Sequence, residues 1–160
     1  MGSIPYLVTA SVRSRNFSVI ASMNKYGMIM KELHNGPING EFFVNYIVNL
    51  KSACIDNGIE SPVFIMDNAK IHHYKLLKSK MSELNLEILY LPPYSSFLNP
   101  IENVFSKWKN HVIRGNAKKE NELFILINEG FESITENGCN GFFRNMLHYV
   151  AKSLQKELIH

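Results

Sequence analysis

Four consecutive apolar residues, Val63-Phe64-Ile65-Met66, run between Pro62 and Asp67. A run this short, without polar alternation and bounded by a proline and a carboxylate, reads as a strand covered on both faces. Strands of that kind belong to parallel sheets with helices on either side, so these four residues restrict the chain to the α/β class. Asp67 then stands at the strand's C-terminal end, where open α/β sheets place their ligands.

The flanking sequence supplies partners for that strand. Phe17 to Met23 reads as a strand, Asn24-Lys25-Tyr26-Gly27 as a turn and Met28 to Leu33 as a second strand, which together make a hairpin. After Asn35-Gly36-Pro37, the residues Phe43, Tyr46, Ile47, Leu50 and Cys54 recur at three- and four-residue steps. They predict an amphipathic helix from Glu41 to Ile55 that stops near Asn57-Gly58. Tyr74 to Leu84 has a helical pattern with Lys75, Lys78 and Lys80 outward, and Leu86 to Leu91 forms another strand before Pro92-Pro93. From Pro100 to Arg114 a helix carries Ile101, Val104, Phe105, Trp108 and Val112 on one side, which assigns Trp108 to the core. Helices over Asn121 to Thr135 and Cys139 to Leu158 complete a helical tail, with Asn137-Gly138 and Asn140-Gly141 expected at their joint.

With 160 residues, 46% of them hydrophobic, the chain has material for one domain with its own core, spanning 1–160. Cys54 and Cys139 are the only cysteines and lack metal-ligand spacing, so a disulfide framework or zinc site is not expected. No apolar run approaches the roughly 18 residues of a membrane span. The net charge of +3 is compatible with an anionic partner without requiring one.

Two carboxylates invite a chemical reading. Asp67 ends a strand, Glu102 opens a helix, and 34 residues intervene. Hard oxygen ligands brought together from separate elements suit a divalent cation such as Mg²⁺ held against a phosphate. Each has a plainer reading. Asp67 can close an Asx-type turn. Asn99, Pro100 and Glu102 can act as N-cap, first helical residue and the acid of a capping box. Neither explains why Pro92 to Asn99, with two prolines and an aromatic, leads stiffly into that helix, whereas rigid delivery of a ligand does. His72 is a candidate phosphate or water contact, or a helix cap. Asn68 and Asn99 are candidate substrate contacts, and His73 reads as an exposed bystander.

The segment Asp67-Asn68-Ala69-Lys70-Ile71-His72 resembles the D-N-A-x-x-H motif of mariner-type DDE transposases. Leu91-Pro92-Pro93-Tyr94-Ser95-Ser96-Phe97-Leu98-Asn99-Pro100-Ile101-Glu102 resembles their L-P-x-Y-S-P-x-L-N-P-I-E, with Ser96 in place of the usual proline. Arg13 to Ile20 resembles the family's second strand more weakly. The resemblance implies the catalytic domain of such an enzyme: an RNase H-like, retroviral-integrase-type mixed sheet flanked by helices. It also implies two Mg²⁺ or Mn²⁺ ions, held by Asp67, Glu102 and a further Asp on a central strand, and cleavage and strand transfer of DNA.

That further Asp has no counterpart here. Asp56 and Asp67 are the only aspartates, and before Asp56 the only acids are Glu32 and Glu41. The expectation is therefore an N-terminally truncated domain that lacks the usual first central strand and the DNA-recognition region, and is inactive alone. DNA is the expected partner, contacted through Lys107, Lys109, Arg114, Lys118 and Lys119, although a solvated helix face explains the same lysines. The family resemblance implies a homodimer in the intact enzyme and a nuclear location, or a cytosolic one for a prokaryotic source. The alternative is a binding module, for DNA or protein, derived from a transposase that has given up catalysis.

Overall fold

Every residue of β2 (Phe17–Asn24) except the last is buried, so the sheet it belongs to is covered on both faces. The computed structural model describes residues 6–13, 17–67, 75–91, 100–141, 143–146 and 148. Besides β2, the elements are β1 (Tyr6–Arg13), β3 (Gly27–Asn35), α1 (Gly40–Asp56), β4 (Val63–Met66), α2 (Lys75–Glu83), β5 (Glu87–Tyr90), α3 (Pro100–Gly115) and α4 (Glu120–Glu132). The sheet order is β3-β2-β1-β4-β5. The first three strands form an antiparallel meander, while β4 runs parallel to both β1 and β5. This is the mixed, helix-flanked sheet anticipated from the sequence.

Strand alternation sorts the core into two halves. Val8, Val19, Ala21, Met23 and Ile65 pack with Ile101, Val104, Phe105 and Trp108 of α3 and with Ile127 and Phe131 of α4. Leu7, Ile20, Phe64 and Met66 pack with Phe43, Tyr46, Ile47, Leu50 and Cys54 of α1 and with Leu77 and Met81 of α2. Side chains two apart on a strand share a face, and this period gives each sheet surface its own helical layer.

The helix termini follow from local chemistry. The Asn39 side chain accepts from the Phe42 N–H at 2.8 Å, an N-cap that stabilises α1 by about 1 kcal/mol. At the other end the Gly58 N–H donates to Ile55 and the Ile59 N–H to Cys54. Gly58 has φ +72°, the left-handed conformation that this double-bonded helix exit requires. Asn85, at φ 55°, closes α2 in the same way.

Three sequence expectations need correction. The middle of the sheet, expected to lack its strand, holds β1, hydrogen-bonded to β2 on one side and β4 on the other. Leu7, Val8 and Thr9 are all 0% exposed. Thr9 and Ser11 interrupt the apolar pattern, which hides the strand in the sequence, and tertiary partners make the buried polar residue acceptable. Thr9 Oγ1 lies 2.8 Å from Ser22 Oγ, which lies 2.8 Å from the Tyr46 hydroxyl, and that hydroxyl donates to the Met30 carbonyl at 3.3 Å. Secondly, Asn137-Gly138 and Asn140-Gly141 do not mark the joint after α4. Helix begins at residue 136, because Thr135 Oγ1 accepts from the Gly138 N–H at 3.0 Å and so caps it earlier. Thirdly, β3 is longer than expected and carries an extra residue opposite Ser22 and Met23.

Candidate metal centre and nucleic-acid face

Asp67 emerges where the burial stops: Val63 to Met66 are buried and Asp67 is exposed. Val8 pairs with Ile65, Met66 pairs with Tyr90, and the Leu91 N–H donates to the Met66 carbonyl at 2.8 Å. The carboxylate therefore leaves the sheet at the C-terminal ends of two parallel strands, anchored from both sides.

Glu102 comes from the first turn of α3. Ile101 and Val104, both 0% exposed, fix the helix on the sheet and leave Glu102 on the outer side. α3 packs over β1 and β2, on the same sheet face as Ile65. The Glu102 carboxyl is pushed above the usual carboxylate range, first by partial burial, then by the negative charge of Asp67, with Lys109 pulling the other way. Two acids separated by a helix and a strand in the sequence are thus electrostatic neighbours in the fold.

Two like charges brought near each other are relieved when a cation joins them, and carboxylate oxygens are the ligands Mg²⁺ and Mn²⁺ prefer. The pair suits one hard cation. It does not suit the two-ion centre implied by the resemblance, because β1 supplies no carboxylate. Among the described residues there is no grouping of three or more His, Cys, Asp or Glu side chains able to hold a metal. Asn68, His72, His73 and Asn99 lie outside the described residues, as does the capping-box reading that depends on Asn99.

Lys107, Lys109, Arg114, Lys118 and Lys119 are all exposed, but they do not form one surface. Lys109, two turns beyond Glu102, lies on its stripe of α3 and reaches its carboxyl electrostatically. Lys107 and Arg114, also seven residues apart, share another stripe beyond the far edge of the buried face. Lys118 bonds locally, its ammonium to Asn116 and its N–H to Glu122, and Lys119 occupies the N-cap position of α4. Of the five, Lys109 is the one the fold sets beside the acidic pair. Trp108 is buried as expected, stacked on Phe131 with centroids 5.3 Å apart.

Sequence reading missed the Thr9–Ser22–Tyr46 hydroxyl chain and the strand it secures. The available signal was the set of β-branched residues at Val8, Thr9 and Val12, diluted by the small residues Ala10 and Ser11 between them.

The family described as DDE superfamily endonuclease matches residues 1–124. No curated protein matches significantly. Among solved structures, the Mos1 mariner transposase catalytic domain superposes with a TM-score of 0.76 at 16% identity, over 88% of this chain and 76% of that one. The Mos1 catalytic domain with raltegravir and Mn gives 0.77 at 16% identity over the same shares. A pre-cleavage Mos1 transpososome gives 0.77 at 13% identity, over 94% of this chain and 54% of its counterpart. At such identities the likeness establishes the fold, which is the RNase H-like sheet of a transposase catalytic domain.

Proposed function

Because this chain belongs to the DDE superfamily endonuclease family, we propose that it is a mariner-like, transposase-derived catalytic domain. On this reading it keeps two of the ancestral carboxylates, binds DNA, and does not cut it unaided. The ancestral activity is metal-dependent cleavage of DNA and strand transfer in transposition. The carrying observation is the family match over residues 1–124, together with Asp67 at the end of β4 and Glu102 in the first turn of α3.

When bound, a divalent cation such as Mg²⁺ or Mn²⁺, the metals named with the matched Mos1 structures, supplies charge neutralisation of phosphate oxygens. Asp67 and Glu102 are the residues available to hold it. Lys109, on the Glu102 stripe, is placed to pair with a phosphate next to the one at the acids. Lys107 and Arg114 offer a second, sequence-independent contact to the backbone. Asn68, His72 and Asn99 complete the proposed substrate contacts by motif position. The absence of an acid on β1 favours retention for binding over retention for catalysis. DNA as the partner implies a nuclear location, or a cytosolic one in a prokaryote, and a homodimer is carried over from the family.

The test measures Mn²⁺ binding from the loss of the free-ion electron paramagnetic resonance signal, alongside fluorescence anisotropy with duplex DNA. Asp67→Asn and Glu102→Gln each weaken Mn²⁺ binding at least about tenfold, the low end of what even an indirect ligand partner costs. Lys109→Ala weakens DNA binding and flattens its logarithmic salt dependence by about 0.9. Unchanged Mn²⁺ binding in both carboxyl variants refutes the reading.

A further inference from the structure

At the end of β4 opposite Asp67, a cavity of about 470 Å³ opens between the C-terminal ends of α1 and α2. Pro62, which precedes β4, forms part of its wall, so the whole strand separates it from the acidic pair. Neither Asp67 nor Glu102 lines it. A volume of this size is enough to hold a small organic molecule.

Two helices that end at one place set the charge of the cavity. α1 exits through Gly58 and α2 through Asn85, both left-handed and both part of the wall. A Cβ at Gly58 would meet nothing within 4 Å, so the exit of α1 leaves open space beside it. Each helix C-terminus carries about half a negative charge. The end of α2 is answered by cations: the Lys51 ammonium donates to the Leu84 carbonyl at 3.0 Å, and Lys80 lies in the last turn. The end of α1 has no basic residue in its last turn, and Asp56 adds a further negative charge there. Glu60, just past that end, stands exposed on the wall, with no cation at ion-pair distance among the described residues.

Most of the remaining wall is apolar. Pro62 is buried, Ile59 and Leu86 are half-buried, and Ile55 keeps 65% of its surface exposed. Burial pushes the Cys54 thiol up to about 11, so at pH 7 it is neutral and adds to the apolar lining. An anion in this space meets Glu60 and two helix C-termini, and a neutral molecule leaves their charge unanswered. A cation on an apolar body matches both features.

We propose that this cavity binds a small organic monocation, an ammonium carried on an aromatic or branched aliphatic body. The ammonium sits between Glu60 and the C-terminus of α1, and the body lies against Ile55, Ile59 and Leu86.

The experiment follows backbone amides by two-dimensional NMR at pH 7 while the full chain is titrated with phenethylammonium and, separately, with hydrocinnamate, which carries the opposite charge on a similar body. Phenethylammonium shifts the Gly58, Ile59 and Asn85 amides saturably, and hydrocinnamate does not. Glu60→Gln weakens the cation about two- to fivefold, as expected for one exposed ion pair. Glu60→Lys, which reverses the charge, weakens it more than Glu60→Gln. Glu60 is exposed, so both variants keep the fold, and circular dichroism checks this. No saturable shift at those amides overturns the proposal, as does an equal response to hydrocinnamate, which marks the cavity as an apolar hollow without charge preference. Cation binding unchanged in Glu60→Lys overturns it as well. Shifts confined to the Asp67 and Glu102 amides place the amine at the acidic pair instead and likewise refute it.

Discussion

Replacing Ser22 by alanine tests whether buried hydroxyls hold β1 in the centre of the sheet. Ser22 Oγ makes two contacts, to Thr9 Oγ1 and to the Tyr46 hydroxyl, each 2.8 Å, and all three residues are 0% exposed. Losing a hydrogen bond of this kind costs about 1 kcal/mol, and stranding a buried polar partner costs about 1–3 kcal/mol. Tyr46 keeps the Met30 carbonyl at 3.3 Å, whereas the Thr9 hydroxyl keeps no other partner among the described residues. One stranded hydroxyl plus one weakened one gives a loss of about 2–4 kcal/mol, or about 4–16 °C in Tm for a chain of this length. Urea denaturation followed by circular dichroism measures it, with an unchanged m-value showing that the native state is otherwise intact. Hydrogen exchange should show the β1 amides losing protection first. The triple variant Thr9→Val, Ser22→Ala, Tyr46→Phe removes the three hydroxyls together and recovers part of the loss, because none of these buried hydroxyls remains unsatisfied. A Ser22→Ala chain within about 0.5 kcal/mol of wild type, the range of an ordinary surface change, would sink the argument.

The remaining predictions concern α3 and its surroundings. Trp108 Nε1 is buried with no hydrogen-bond partner among the described residues, so Trp108→Phe costs less than about 1.5 kcal/mol by urea denaturation while Trp108→Ala costs about 3–5 kcal/mol. Gly130→Ala sets a methyl 2.8 Å from the Trp108 ring, which its stacking on Phe131 prevents from yielding. Overpacking of about 1–3 kcal/mol then outweighs the helix-propensity gain of about 1 kcal/mol. Gly115→Ala instead meets the methyl ends of Leu126, which can rotate away, and leaves stability within about 1 kcal/mol of wild type by the same measurement. The Glu102 carboxyl, raised by burial and by Asp67, disfavours the folded state while it is ionised. The penalty is present above its folded pKa and is relieved as pH falls through that value. Metal-free Glu102→Gln is therefore more stable than wild type at pH 7 and loses that advantage below about pH 4, while thermal shifts show it losing stabilisation by Mn²⁺.

What the sequence determined was whatever depends on residues close along the chain. Val63 to Met66 declared a doubly covered strand, the spacing of Phe43, Tyr46, Ile47, Leu50 and Cys54 declared the buried stripe of α1, and Asn57-Gly58 declared its end. The two motifs around Asp67 and Glu102 carried the family. The tertiary structure decided what depends on distant partners. Thr9 can be buried because Ser22 and Tyr46 arrive from another strand and a helix, so β1 takes the centre although its own residues alternate poorly. Thr135 starts a helix that two glycines argued against, because a side-chain cap satisfies backbone N–H groups at the helix start. Lys109 is separated from Lys107 and Arg114 by the helical period, so charges adjacent in sequence serve different surfaces. Periodicity and capping are written locally, whereas burial of a polar group and convergence of two charges exist only once the chain has folded back on itself.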